Sequence, residues 1–285
     1  MSFELVKKYA PATDELFKAE SKTNLITNTD FDWSGAHTVV IWKISTVGMN
    51  DYARNRYEDD VLSDDSVACI SRYGKLYDLD TQIEEMILKK DRSFIFNVDR
   101  MDGDETSKQL EAGKALARQL RNVVIPEVDT YTYKVMVENA GTTAEASVLT
   151  PENIYDAIAA GNEVMDDSEV PETGRVIVVT PKVYTIMKKA KIFDNTDIGA
   201  DMKLKGVIAE VDGLQVVKVP ENRLPEKFGF MIAHPCATVA PVKLEDYGTH
   251  DDTPLSSGTI VTGRIVYDAF VMDNKKAGIY YHPIA

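Results

Sequence analysis

The residues of this chain that could do chemistry are two glycine–lysine pairs, one dense run of carboxylates, four histidines and two cysteines. A phosphate-binding loop of the Gly-x4-Gly-Lys-Ser/Thr type needs the hydroxyl beside its lysine, because backbone amides, lysine and hydroxyl hold phosphate and magnesium together. Here Gly74-Lys75 is followed by Leu76 and Gly113-Lys114 by Ala115, and no GxGxxG occurs. The run Asn97-Val98-Asp99-Arg100-Met101-Asp102-Gly103-Asp104 invites a calcium reading. Counted from Asp99, Met101 falls at position 3 and glycine at position 5, whereas an EF-hand loop needs oxygen ligands at 1, 3 and 5 and glycine at 6. A turn before a helix explains these residues better.

His37, His234, His250 and His282 are scattered, with no HExxH and no GxSxG elbow around a serine. Cys69 and Cys236 are far apart and form no CxxC, which excludes a zinc ribbon or a disulfide framework and fits a reducing compartment. Cys236, between Pro235 and Ala237, reads as a buried structural cysteine. The expectation from motifs is no catalytic residue, no cofactor and no metal.

The elements that would have to position any site are those of an ordinary globular chain. The 285 residues are 44% hydrophobic and 27% charged, and that length suggests about two domains. The formal net charge of −14 repels nucleic acid and anionic membrane at long range, so a free DNA-binding role would require locally concentrated basic groups. Met1 to Lys8 lacks a signal-peptide apolar core, and no apolar run approaches the ~20 residues that span a bilayer.

Residues 1–36 read as an extended arm, followed by a β-branched and aromatic strand at His37 to Ile44. From about 45 to 82 the chain makes a polar, aromatic-studded excursion, predicted as an extended β-hairpin. Its basic end carries Tyr52, Arg54 and Arg56, and its acidic end Asp59, Asp60, Asp64 and Asp65, which would suit pairing with another chain. A strand at Ser93 to Val98 precedes a helix predicted from an N-cap at Asp104 to a stop at Pro126, about 104–125, with Leu110, Leu116, Leu120, Val123 and Val124 as its apolar stripe. The segment Glu127 to Tyr133 fits either helical or period-two spacing. Thr150-Pro151 and Thr180-Pro181 each open a helix, and Val176-Ile177-Val178-Val179 between them reads as a strand buried on both faces. Strands follow at Gly213 to Val219 and Phe228 to Ala233, then a long strand at Thr259 to Met272 turning back into Ala277 to His282.

Three stretches in this order resemble the major capsid protein of tailed bacteriophages, the Hong Kong 97-type coat fold. They are Asp91 to Asp102 running on through the helix to Val124-Ile125-Pro126-Glu127-Val128-Asp129; Thr150 to Ile158 with Gly174 to Tyr184; and Gly263 to Val271. The resemblance implies an α+β fold with an N-terminal arm (1–36), a peripheral domain with extended loop and spine helix (37–144), an α/β axial domain (145–243) and returning peripheral strands (244–285). It implies a structural protein rather than an enzyme, forming pentamers and hexamers of an icosahedral shell around double-stranded DNA that it does not recognise specifically. Its location would be the virion, after assembly in the bacterial cytoplasm, with no membrane partner. The short arm implies a separate scaffolding protein beside the portal. Contact between subunits is assigned to Tyr52, Arg54 and Arg56 opposite Asp59, Asp60, Asp64 and Asp65 of a neighbour. The rival readings are an encapsulin-like nanocompartment shell and an acidic α/β enzyme with an unrecognised site.

Overall fold

The structure, a computed structural model, describes residues 21–28, 38–44, 46–49, 52, 73, 78, 81–99, 112–190, 207–250 and 258–285. The chain divides into two compact units, residues 35–87 and residues 1–34 with 88–285. In the smaller unit β1 (Thr38–Ile44) and β2 (Thr81–Ile87) pair antiparallel, with Thr38 opposite Ile87 and Ile44 opposite Thr81. The excursion expected as a hairpin therefore has a paired stem. Lys43 and Glu84 form a half-buried ion pair of 2.9 Å across it.

The larger unit begins with β3 (Lys90–Asp99), α1 (Ala112–Gln119), a π turn at Leu120–Val124 and α2 (Ile125–Glu138). Then come β4 (Thr142–Thr143), α3 (Ile154–Asp167), β5 (Val176–Val179), α4 (Pro181–Ala190), β6 (Val207–Val211), β7 (Leu214–Lys218) and β8 (Phe228–Ala233). The chain closes with β9 (Thr238–Val239), β10 (Val242–His250), β11 (Gly258–Tyr267), β12 (Phe270–Val271) and β13 (Ile279–Pro283). A six-stranded sheet has the order β4-β13-β8-β5-β7-β6, and a three-stranded sheet the order β10-β11-β3.

The four apolar residues of β5 are all buried because both faces of the large sheet are covered. Val176 and Val178 pack into one core with Ile26 of the arm and with Tyr133 and Met136 of α2. Ile177 and Val179 pack into a second core with Ile154, Ile158 and Met165 of α3 and Val183 and Met187 of α4. Ile154, Ile158, Gly161 and Met165 lie on one helical face, the spacing that buries a stripe. A Cβ at Gly161 would stand 2.8 Å from the Tyr280 ring, so glycine sets how closely α3 approaches the sheet. The small sheet lays Phe94 over Gly263 of β11 and packs Ile265 and Tyr267 on Val124, Leu120, Val128 and Tyr131 of the long helix.

Two expectations change. The helix expected to stop at Pro126 continues to Glu138, and Glu127 to Tyr133 is helical throughout. The amide of Ile125 reaches back to the carbonyl of Leu120, a wider turn than in an α-helix. Pro126 follows in the first turn of α2, where its missing N–H is least costly. The extra residue also shifts the helical phase, so Val123 of the expected stripe is 45% exposed while Val124 is buried. Residues 100–111, with the expected N-cap Asp104 and Leu110 of the expected stripe, lie outside the described residues.

The second change is at the C-terminus, where the 244–285 segment does not stay in one sheet. β10 and β11 do return to β3, but β13 pairs antiparallel with β8 in the large sheet, and β4, expected in the peripheral part, pairs with β13 there too. Buried Asp268 ends β11: its carboxylate accepts bonds from the backbone amides of Lys89 and Ala269 and from the Tyr131 hydroxyl, each 2.8 Å. That turn directs Phe270–Val271 onto β9 and, through a turn at Asp273–Gly278, directs β13 onto β8.

The arm, the helix and the large sheet meet at one buried ion pair. Asp129 of α2 and Arg223, in the turn that follows β7, are 2.7 Å apart and both almost wholly buried. The second oxygen of Asp129 accepts bonds from the hydroxyls of Ser21 (2.7 Å) and Thr23 (3.4 Å). Asn28 then ties the arm to β9 through the carbonyl of Thr238. Asp129→Ala leaves Arg223 buried without its counter-charge and should cost about 3–5 kcal/mol. Tyr133→Phe should change stability by less than about 1 kcal/mol, because the Tyr133 hydroxyl is buried without a partner. Denaturant midpoints of the two variants check both values.

Candidate functional site

Three surfaces deserve comparison with the expected chemistry. The first is the ribbon. On β2, Ile83 and Ile87 are 54% and 41% exposed, and Glu85 between them is exposed as well, so alternate residues give β2 one outward face. In the register Trp42 stands opposite Ile83 and Thr38 opposite Ile87. Towards the loop Val47, Met49, Tyr52 and Tyr73 are also exposed. The rings of Tyr52 and Tyr73 meet edge to face, with centroids 5.1 Å apart, joining the two limbs of the excursion. Of the expected contact residues, Tyr52 is thus on the surface; Arg54, Arg56, Asp59, Asp60, Asp64 and Asp65 lie outside the described residues. Ile83 and Ile87 were not legible as surface residues, because Thr81-Gln82-Ile83-Glu84-Glu85-Met86-Ile87 does not alternate cleanly.

The second surface is the outer face of the small sheet, where Arg264 of β11 forms a two-point contact with Asp91 of β3, 3.0 Å from Nε and 2.5 Å from a terminal nitrogen. The guanidinium holds the Asp91 carboxyl below the usual carboxylate range, and Asp246 of β10 adds to the negative field around Arg264. On the opposite face Tyr267 of β11 meets Tyr131 of α2. Tyr267 donates to Glu127 at 3.2 Å and Tyr131 to Asp268 at 2.8 Å, with the rings edge to face at 5.7 Å.

The third is the only close pairing of histidine and cysteine among the described residues. His234 Nδ1 lies 2.8 Å from Cys236 Sγ and accepts a bond from the Cys236 amide, while Nε2 lies 3.2 Å from the carbonyl of Thr173. These contacts fasten the turn at the end of β8 to the loop before β5. Cys236, expected buried, is half-buried, because it sits in a short turn, Pro235–Ala237, at the end of β8. His282 is buried by stacking on Phe230 at 4.9 Å, and burial lowers its pKa. Among the described residues no group of three or more His, Cys, Asp or Glu side chains could hold a metal ion, and no helix is long and apolar enough to cross a membrane.

The family profile described as phage capsid protein matches residues 87–281, from the last residue of β2 into β13. The chain belongs to the phage capsid protein family. Its fold is that of the Hong Kong 97-type coats, as the solved capsids show. The structure is similar to that of Mycobacterium phage Che8, at 18% identity and a TM-score of 0.71, covering 98% of this chain and 96% of that one. It is similar to the capsid of the cyanophage P-SCSP1u, at 13% identity and a TM-score of 0.71, covering 99% and 93%. It is also similar to the mature capsid of bacteriophage PhiM1, at 13% identity and a TM-score of 0.69, covering 100% and 92%. No curated protein matches the sequence.

This capsid protein is therefore a structural, shell-forming virion component, as its sequence resemblance implied, and the phage family profile favours that reading over the nanocompartment one. Its two inner tyrosines give it a testable pH limit. Burial and then Glu127 push the Tyr267 phenol up to about 12, and burial and then Asp268 raise Tyr131 further. Both folded values lie above the ordinary tyrosine value near ~10, so their contribution is complete below about pH 10 and is lost as pH rises towards 12. The melting temperature should fall across that window, and less steeply in Tyr267→Phe, when followed by circular dichroism.

Proposed function

We propose that this protein is the major capsid protein of a tailed bacteriophage or prophage, building the icosahedral wall that encloses double-stranded DNA. The wall is grown in the host cytoplasm with a separate scaffolding protein and is interrupted by a portal. The observation that carries the reading is the family profile across 87–281 on a fold that matches solved capsids end to end. The acidity fits, since a wall around packed DNA needs no tight phosphate contacts and net repulsion keeps the genome from adhering to it. In this reading the large α/β unit is the axial domain, and β3, β10, β11 and the long helix form the peripheral domain.

Subunit contact is assigned to the ribbon and its loop. An isolated two-stranded ribbon is marginal in water and gains from a surface to lie on. Ile83 and Ile87 supply apolar area for that contact, and Tyr52, Arg54 and Arg56 would face Asp59, Asp60, Asp64 and Asp65 of a neighbour, charge pairing selecting the partner.

Negative-stain electron microscopy of the chain co-expressed with the adjacent scaffolding gene should show closed shells; a uniform small particle under those conditions rejects the reading. Arg54→Glu with Arg56→Glu, and separately Ile83→Lys with Ile87→Lys, should leave the melting temperature nearly unchanged while reducing shells at least about ten-fold. Normal shell yield from both variants would refute the assigned contact.

A further inference from the structure

Beside the arm lies a cavity of about 300 Å³. Its walls come from Ser21 and Thr23 of the arm, from Leu120, Val124 and Val128 around the π turn of the long helix, and from Ile265 of β11. Val242 of β10 borders it at the surface, 43% exposed. Protein interiors leave few voids larger than one water molecule, and this one has room for several. Its border offers a polar guest little. The hydroxyls of Ser21 and Thr23 donate to Asp129, that of Thr27 to the carbonyl of Thr23 at 3.0 Å, and that of Thr132 to the carbonyl of Val128 at 3.0 Å. Asp129 itself is answered by Arg223. No hydrogen of these hydroxyls is left for a ligand, and a charged or polar occupant would lose its hydration without return. The cavity calls for apolar side chains.

The chain brings such side chains to its border. Ser21 follows Leu16-Phe17-Lys18-Ala19-Glu20, and residues 1–34 belong to the same compact unit as the cavity walls. Leu16 and Phe17 lie outside the described residues. They are the nearest bulky apolar residues before Ser21, five and four positions away. Four or five residues reach at most about 14–18 Å, so the tether keeps both within range of the cavity. A tether this short holds its cargo at an effective concentration of about a millimolar, which a free apolar molecule or another chain would have to exceed.

We propose that Leu16 and Phe17 of the chain's own arm fill the cavity between the arm, the π turn and the small sheet. Seated there, they tie the leading part of the arm to the helix that serves both the large-sheet and the small-sheet cores. They also pack against the π turn, where the regular i to i−4 ladder is interrupted. The contact lies within a single chain and is independent of the shell-forming reading.

The test uses the full-length chain, with wild type and variants in the same state of assembly. Leu16→Ser with Phe17→Ser should lower the melting temperature and speed hydrogen exchange of the amides from Leu120 to Val128 at least about ten-fold. Phe3→Ser with Leu5→Ser, an equal loss of apolar area farther from the cavity, should do neither. Benzene should raise the melting temperature of the first variant, whose cavity is emptied, and leave that of the wild type unchanged. A cross-link decides the matter even if the first variant does not fold. In a chain carrying Cys69→Ser and Cys236→Ser, Phe17→Cys with Val242→Cys should close a disulfide with diamide, and the product should migrate as a monomer. A benzene shift in the wild type, wild-type exchange in the first variant, or no cross-link overturns the proposal. A cross-link formed only between chains overturns it too, since it assigns the cavity to the arm of a second copy.

Discussion

The buried contact between Asp129 and Arg223 is the constraint around which the larger unit is organised. Neither charge reaches water, so each depends on the other and on the Ser21 and Thr23 hydroxyls that complete the carboxylate's partners. A buried pair of this kind adds little net stability over apolar residues of the same shape, but it tolerates few alternative arrangements. Here it brings together three pieces remote in sequence: the arm, the long helix and the turn after β7. Ile26 and Tyr133, packed in the same core, then have fixed places.

From that junction the large sheet acquires its two covered faces. One is closed by the long helix and the arm, the other by α3 and α4. The same long helix, after its π turn, also closes the inner face of the small sheet through Val124, Val128 and Tyr131. One helix therefore belongs to two cores. Asp268 does related work at the exit of β11, where three donors converge on a buried carboxylate and separate strands that are neighbours in sequence into different sheets.

What remains at the surface is suited to a protein whose partners are copies of itself. Shell assembly sums many modest contacts under symmetry, so no single interface needs to be large or strongly apolar. Ile83 and Ile87 are exposed singly on the ribbon and form no continuous hydrophobic patch of the kind that invites unspecific association.

The sequence by itself determined the local elements and the absence of recognised catalytic motifs. Val176 to Val179 reads as a strand covered on both faces, Thr180-Pro181 opens a helix at Pro181, and the order of the three resembling stretches carried the family; after Thr150-Pro151 the helix begins only at Ile154, with Asn153 as its N-cap. These features depend on neighbours within a few residues, where propensity and capping act. Tertiary structure alone decided that the helix runs past Pro126, that β13 joins β8 rather than β11, and that Ile83 and Val123 face outward. It also decided that Asp129 meets Arg223, and that Lys188 and Lys218 converge on the Tyr184 ring. In each case the deciding interaction links residues far apart in the chain, so its free energy is set by packing that no local window of sequence contains.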